Sequence, residues 1–254
     1  MLRIVADLGN SRMKWGRLGV DGQVERVLAL PPDDLDAWDA AWLEWHESAS
    51  PPASTWAIST VNPPVAERLR LFLEARGVTD PTWFRSAAEV GVAEALIGAE
   101  IGGADRALAV AAALGERPAG QPGLVVMCGT AVTVERVSAE GVWQGGAIAA
   151  GLGLTARALH MLTAQLPLVA PREAPPPWGN ATTPSLEAGV FWGVVGAIRE
   201  LLTRQTEGLG ENPWVIWSGG DAVPLARAVG WPGARVVPDL VLHGLARLAF
   251  GAGR

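Results

Sequence analysis

Short apolar runs that end in glycine turns recur along this chain, and between them apolar residues return every three or four positions. Residues 4–6 run into Asp7-Leu8-Gly9-Asn10-Ser11 and then Met13-Lys14-Trp15-Gly16-Arg17-Leu18, which predicts strand, tight turn, strand. Within residues 31–47, Leu35, Trp38, Trp42 and Trp45 fall near helical spacing. The tryptophan stripe of that amphipathic helix reads as a core face rather than a ligand-stacking surface. A buried strand is expected over 56–61 and a helix over 65–76, closed by Gly77. Another helix is expected over 104–114, entered through Gly102-Gly103 and stopped by Gly115.

After the turn-rich segment 118–122 the pattern starts again. Val125-Val126-Met127-Cys128-Gly129-Thr130-Ala131-Val132-Thr133-Val134 repeats the apolar run, glycine turn and second run seen around Gly9, so a duplicated strand-turn-strand unit is expected. Beyond it the sequence predicts a small-residue turn over 145–151, a helix over 152–166, a proline-rich loop over 167–178 and a helix over 184–207. A buried strand over 213–217 then runs into Ser218-Gly219-Gly220-Asp221 and a helix over 223–229. Strands and helices alternate throughout, which favours an α/β architecture.

Composition narrows the function. A length of 254 residues accommodates one large domain or two smaller ones. A formal charge of −6 argues against binding nucleic acid through general electrostatics, since phosphate neutralisation needs clustered Lys and Arg. Cys128 is the only cysteine and can form no internal disulfide, while His46, His160 and His243 are scattered and read as packing or surface residues. The amino terminus is wrong for a signal peptide, and no apolar stretch is long enough for a membrane helix, so no membrane partner and a cytoplasmic location are expected. Nineteen arginines stand against one lysine, and that lysine, Lys14, lies inside the first hairpin.

Three glycine-bearing turns, at Gly9-Asn10-Ser11, Gly129-Thr130-Ala131 and Ser218-Gly219-Gly220, each follow an apolar strand, a setting in which backbone N–H groups can point at phosphate oxygens. Asp7, beside the first turn, is able to hold a hydrated Mg²⁺ next to a nucleotide. Lys14 can neutralise transferred charge as a point cation.

Asp7-Leu8-Gly9-Asn10-Ser11-Arg12-Met13-Lys14-Trp15-Gly16 resembles the phosphate motif of the type III pantothenate kinases, a branch of the actin-like and sugar-kinase-like ATPases. The resemblance continues through Ser59-Thr60-Val61-Asn62-Pro63, Gly103-Ala104-Asp105-Arg106, Gly129-Thr130-Ala131-Val132-Thr133, Gly145-Gly146-Ala147-Ile148, Gly179-Asn180-Ala181-Thr182 and Ser218-Gly219-Gly220, in the family's order over nearly the whole chain. It implies two similar ribonuclease-H-like lobes, 1–117 and 118–254, with the active site in the cleft between them. It further implies ATP-dependent phosphorylation of pantothenate to 4′-phosphopantothenate, the first step of coenzyme A biosynthesis, by a homodimer using ATP and Mg²⁺.

By the same resemblance Asp105 takes the place of the general base. Gly103, Ala104, Arg106 and Thr182 stand where the family holds pantothenate, and Asp7, Gly9, Asn10, Ser11, Lys14, Gly129, Thr130, Gly219 and Gly220 stand where it holds ATP. The pattern is broken at Met127, where the family carries an aspartate associated with a monovalent cation, K⁺ or NH₄⁺, at the subunit interface. A thioether is a poor ligand for such a hard ion, so the ion site reads as lost. Leu96 and Ala99 replace a Tyr and a Pro of the family pattern, Ala150 replaces a Pro, and Glu135 closes the second hairpin. These changes keep a second function class open, a catalytically weak homologue acting as a nucleotide-binding regulator in the manner of the Bvg accessory factors; a kinase for another small alcohol is a third.

Overall fold

The computed structural model describes residues 1–46 and 53–251. It divides by contacts into two compact units, one made of residues 1–92, 97–115 and 240–254, the other of residues 93–96 and 116–239.

The first unit is built on β1 (Leu2–Leu8), β2 (Met13–Leu18), β3 (Val24–Leu30), β4 (Ser54–Thr60) and β5 (Thr82–Phe84), in the order β3-β2-β1-β4-β5. β1, β2 and β3 are antiparallel neighbours, and β4 and β5 extend the sheet in parallel from β1. The helices between these strands are α1 (Leu35–Trp45) and α2 (Pro63–Glu74), followed by α3 (Ala87–Val90) and α4 (Ala104–Glu116). Both long early helices start on side-chain caps: Ala37 N–H donates to Asp34 at 2.9 Å, and Val65 N–H donates to Asn62 at 3.4 Å with Pro63 in the first turn.

The tryptophan stripe of α1 is core, as its spacing predicts: Trp38, Trp42 and Trp45 are buried with Trp15, Trp56 and Phe72. Trp15 meets Trp56 edge-on at 5.0 Å between ring centroids, the favoured geometry for two quadrupoles. Observed α1 is shorter than the 31–47 expected, and Glu47 lies outside the described residues. Gly115 does not stop α4, which continues to Glu116; its missing side chain is instead filled by the Arg247 guanidinium.

The second unit repeats the design with β6 (Gly123–Cys128), β7 (Ala131–Val137), β8 (Trp143–Ala150), α5 (Leu152–Met161), α6 (Thr182–Thr206), β9 (Trp214–Ser218), α7 (Ala222–Val229) and β10 (Ala234–Val236). Its order is β8-β7-β6-β9-β10, with the first three antiparallel and β9 and β10 parallel to β6. The duplication therefore extends from one hairpin to the whole sheet, and both units carry the ribonuclease-H-like strand order. The final helix, α8 (Leu240–Phe250), belongs to the first unit and packs over its sheet, where Gly244 lies against the Leu108 backbone.

Two sequence expectations fail here. Of the turn expected over 145–151, residues 145–150 are instead most of β8, an alternating strand whose small residues are required by close approach: a side chain at Gly146 would collide with Val134 and Glu135 of β7. The following helix ends at Met161 rather than 166. Residues 93–95 also join this unit, bonded to Trp143 of β8 through Ala95 N–H to Trp143 carbonyl and Trp143 N–H to Ala93 carbonyl, both 2.9 Å.

Candidate active site

In the first unit, Asp7 and Lys14 are register partners on β1 and β2, and Ser59 on β4 lies across from Asp7 on the other side. Side chains directly opposite in a sheet share a face, so acid, base and hydroxyl stand on one side of it. Asp7 and Lys14 are half-buried, and the Ser59 hydroxyl is buried with no hydrogen-bond partner among the described residues. The turn that follows is closed by Gly9 N–H donating to Arg12 carbonyl at 3.1 Å, leaving Asn10 and Ser11 exposed at its tip.

The Gly103-Ala104-Asp105-Arg106 segment opens α4. Asp105 sits in the first turn, where the helix dipole favours an anion, and its Oδ1 accepts the Arg106 N–H at 2.8 Å. Any Cβ on Gly103 would lie 2.5 Å from that same oxygen and 3.6 Å from Val61 Cγ1. Val61 in turn donates its N–H to the Leu8 carbonyl at 3.3 Å, so one residue links the Asp105 segment to the strand end that leads into the first glycine turn. Asp7, Gly9, Asn10, Ser11, Lys14, Gly103, Ala104, Asp105 and Arg106 are thus carried by adjoining segments of one unit.

In the second unit, the turns at Gly129-Thr130 and Gly219-Gly220 meet each other. Asp221 N–H donates to Cys128 carbonyl at 3.1 Å, and Gly219 adopts φ +104° with no room for a side chain against the Cys128 backbone. Gly220 faces open space. Gly151, at the end of β8, donates to Thr130 carbonyl at 3.0 Å and also has no space for a Cβ. Thr182, the first residue of α6, is exposed and belongs to neither group of contacts; its turn is fastened by Ser185 Oγ donating to Gly179 carbonyl at 3.1 Å.

The registers place Met127 opposite Thr133 on one side and Ser218 on the other. The Thr133 hydroxyl is buried without a hydrogen-bond partner among the described residues, which a carboxylate at position 127 could supply and a thioether does not. Among the described residues no cluster of three His, Cys, Asp or Glu side chains could hold a metal ion. Asp7 offers the hard oxygen a hydrated Mg²⁺ accepts, whereas the thioether of Met127 is a poor ligand for a hard monovalent ion. Burial, with Asp221 adding to it, pushes the Cys128 thiol far up, so this cysteine is an inert core side chain.

A family profile described as type III pantothenate kinase matches residues 3–204. The chain belongs to the type III pantothenate kinase family. The type III pantothenate kinase of Synechococcus elongatus is 32% identical over 98% of this chain and 97% of its own length. That of Porphyromonas gingivalis is 42% identical over 149 residues, 58% of this chain, and the match spans 60% of that relative's length. Among solved structures, a conserved protein from Campylobacter jejuni described as a Baf family transcriptional activator is similar with a TM-score of 0.58 at 18% identity, covering 96% of each chain. That likeness shows the fold, which is the two-lobed actin-like ATPase fold expected from the motifs.

Sequence reasoning missed three features of these regions. Glu135 is fully buried and accepts the Trp143 indole N–H at 3.0 Å, a contact between neighbouring strands that no spacing rule announces, because the glycines of β8 have the composition of a turn. Gly151 was visible as a glycine but not as a neighbour of Thr130. A cavity beside Gly103, lined partly by Trp83 and Arg85, has no signature in the sequence.

Proposed function

We propose that this chain transfers the γ-phosphoryl group of ATP to the primary hydroxyl of pantothenate, giving 4′-phosphopantothenate and ADP. The observation that carries this reading is the match over nearly its whole length to a relative named type III pantothenate kinase. In it, Asp105 orients the attacking hydroxyl and receives its proton, and Arg106 binds pantothenate beside it. Lys14 and the N–H groups of the Gly9-Asn10-Ser11 and Gly129-Thr130 turns hold the phosphates, and Gly219 and Gly220 leave a bare backbone for the nucleoside. Phosphoryl transfer asks mainly for positioning and charge stabilisation, which such a set supplies. Mg²⁺, held through water by Asp7, would neutralise charge on the phosphates.

Thr182 contributes to the pantothenate site in this reading, and the protein works as a homodimer. What supports a second copy is the apolar surface of the second unit, where Ile148, Met161, Leu162, Leu168 and Trp178 are all more than half exposed. No helix among the described residues is long and apolar enough to cross a membrane. The place of action in this reading is the cytoplasm. Turnover needs no K⁺ or NH₄⁺, because Met127 offers no hard ligand.

A coupled assay tests the reading: ADP release that depends on pantothenate, with a phosphomonoester signal appearing in ³¹P spectra, is expected in Na⁺, K⁺ and NH₄⁺ alike. No pantothenate-dependent release in any of the three would overturn it. Asp105→Asn is expected to lower kcat by about 10²- to 10⁴-fold, the contribution of a positioned base, and a loss under about threefold would remove that role.

A further inference from the structure

Alternation along β1 and β4 sorts their residues onto two faces. Ile4, Ala6 and Leu8 join Trp56 and Ile58 in the tryptophan core, so Val5, Asp7, Ala57 and Ser59 stand on the opposite face. There the register pairs Val5 with Ala57 and Asp7 with Ser59. Val5 also pairs with Gly16, and the side chains of Val5 and of Leu242 on α8 fill the space beside that glycine, so this row is apolar and covered by the last helix. The next row on the same face, Lys14-Asp7-Ser59, is polar, and it is the last before the two strands end.

Ser59 is the odd member of that row. It is 0% exposed, and its hydroxyl has no hydrogen-bond partner among the described residues, so it is not bonded to the Asp7 carboxylate beside it. An unpaired buried hydroxyl costs stability, and alanine would fill the same position without that cost. Thr60, the next residue, shows a hydroxyl spent on local structure: its Oγ1 accepts the Asn62 N–H at 3.0 Å and donates to the Asn62 carbonyl at 3.2 Å, fastening the turn into α2. Ser59 fastens no such turn. Its neighbour across the ladder is a carboxylate, which when ionised can only accept.

We propose that Ser59 is a positioning residue for Asp7: when nucleotide and Mg²⁺ are bound, its hydroxyl donates to the Asp7 carboxylate and fixes the orientation in which that carboxylate serves the ion. The inference rests on the reading of Asp7 as the acid beside the nucleotide's magnesium. A carboxylate with a cation on one side only is free to turn toward it, and a donor on the opposite side limits that turn. Lys14 and Ser59 flank Asp7 in this way, on the two neighbouring strands. Hydrogen-bonded outer partners of this kind set how well an acid holds a metal. In this role Ser59 touches neither nucleotide nor phosphoryl acceptor.

The test measures binding of the non-hydrolysable ATP analogue AMPPNP by calorimetry, with Mg²⁺ and with EDTA, in the wild type, Ser59→Ala, Asp7→Asn and the double variant. Melting without nucleotide checks folding, and Ser59→Ala is expected to match or exceed the wild type there, since it removes an unpaired buried group. With Mg²⁺ present, Ser59→Ala is expected to weaken binding about tenfold, as loss of an outer partner does, while binding in EDTA stays within about twofold. In the Asp7→Asn background the serine change adds less than about twofold, because the hydroxyl acts through that acid. Equal weakening with and without Mg²⁺, or additive losses in the double variant, would overturn the positioning role. If Asp7→Asn weakens Mg²⁺-dependent binding and Ser59→Ala does not, the role of Ser59 alone is overturned. If Asp7→Asn itself changes nothing, the reading of Asp7 falls with it.

Discussion

The two units are one topology with two different faces. Each has a central strand, β1 or β6, flanked by an antiparallel and a parallel neighbour and ending in a glycine turn. At the position two residues before that glycine, the first unit has Asp7 between Lys14 and Ser59, and the second has Met127 between Thr133 and Ser218. The fold asks only for the glycine and the apolar run, because both turns close by the same kind of short backbone bond, Gly9 to Arg12 and Gly129 to Ala131. Charge at the strand end is a separate matter. It is present in one unit and missing in the other, and the candidate base, Asp105, is carried by the unit that has it.

Exchanging those residues tests whether the asymmetry matters. Asp7→Met gives the first hairpin the side chain of the second, and kcat is expected to fall by about 10²- to 10³-fold, the scale of one lost preorganised electrostatic contact. Thermal melting checks that the sheet survives; a kcat within threefold of wild type would make the acid dispensable. The reverse change, Met127→Asp, offers a carboxylate to the orphaned Thr133 hydroxyl. A K⁺-dependent rise in Tm of a few degrees is expected where the wild type shows none, and an equal response of both proteins would show that position 127 does not govern the ion.

The smallest effect concerns the cores. The first is the tryptophan cluster with buried His46 stacked on Trp42 at 3.8 Å, its Nδ1 bonded to the Trp42 carbonyl at 2.9 Å and its Nε2 buried without a partner among the described residues; the second unit's core cluster is apolar. Burial lowers the His46 pKa below its ordinary value, outweighing the carbonyl bond, which raises it. The neutral ring is therefore the folded form. Its contribution is complete above the unfolded value near 6.5 and is lost as pH falls through the folded one. Tm measured from pH 7.5 down to 5 is expected to decline more steeply for wild type than for His46→Phe.

The hairpins and helices at the heart of this comparison were legible because their signals are local. Asp7 to Leu18 alternates around a glycine turn, and Trp38, Trp42 and Trp45 repeat at helical spacing. β8 was not legible: Gly145-Gly146-Ala147 reads as a turn until β7 is placed beside it, since what selects glycine at 146 is contact with Val134 and Glu135. The short edge strands β5 and β10 carry three residues each, too few for any period to show. Motif order pointed to the Asp105 segment, but the cavity beside it depends on Trp83 and Ile101 meeting across a gap in sequence that no motif spans.

The placement of α8 bears on how the molecule is made. Leu240, Val241, Leu242 and Leu245 are buried, and the helix lies on β1 to β4, so the sheet whose strands are translated first keeps an uncovered apolar side until residues past 240 emerge. The second unit is continuous over 116–239 and needs only the short stretch 93–96, already synthesised, to be whole. During vectorial synthesis the later half is thus the earlier one to finish, and the sheet bearing Asp7 and Lys14 waits for the last helix to shelter it from chaperones and proteases.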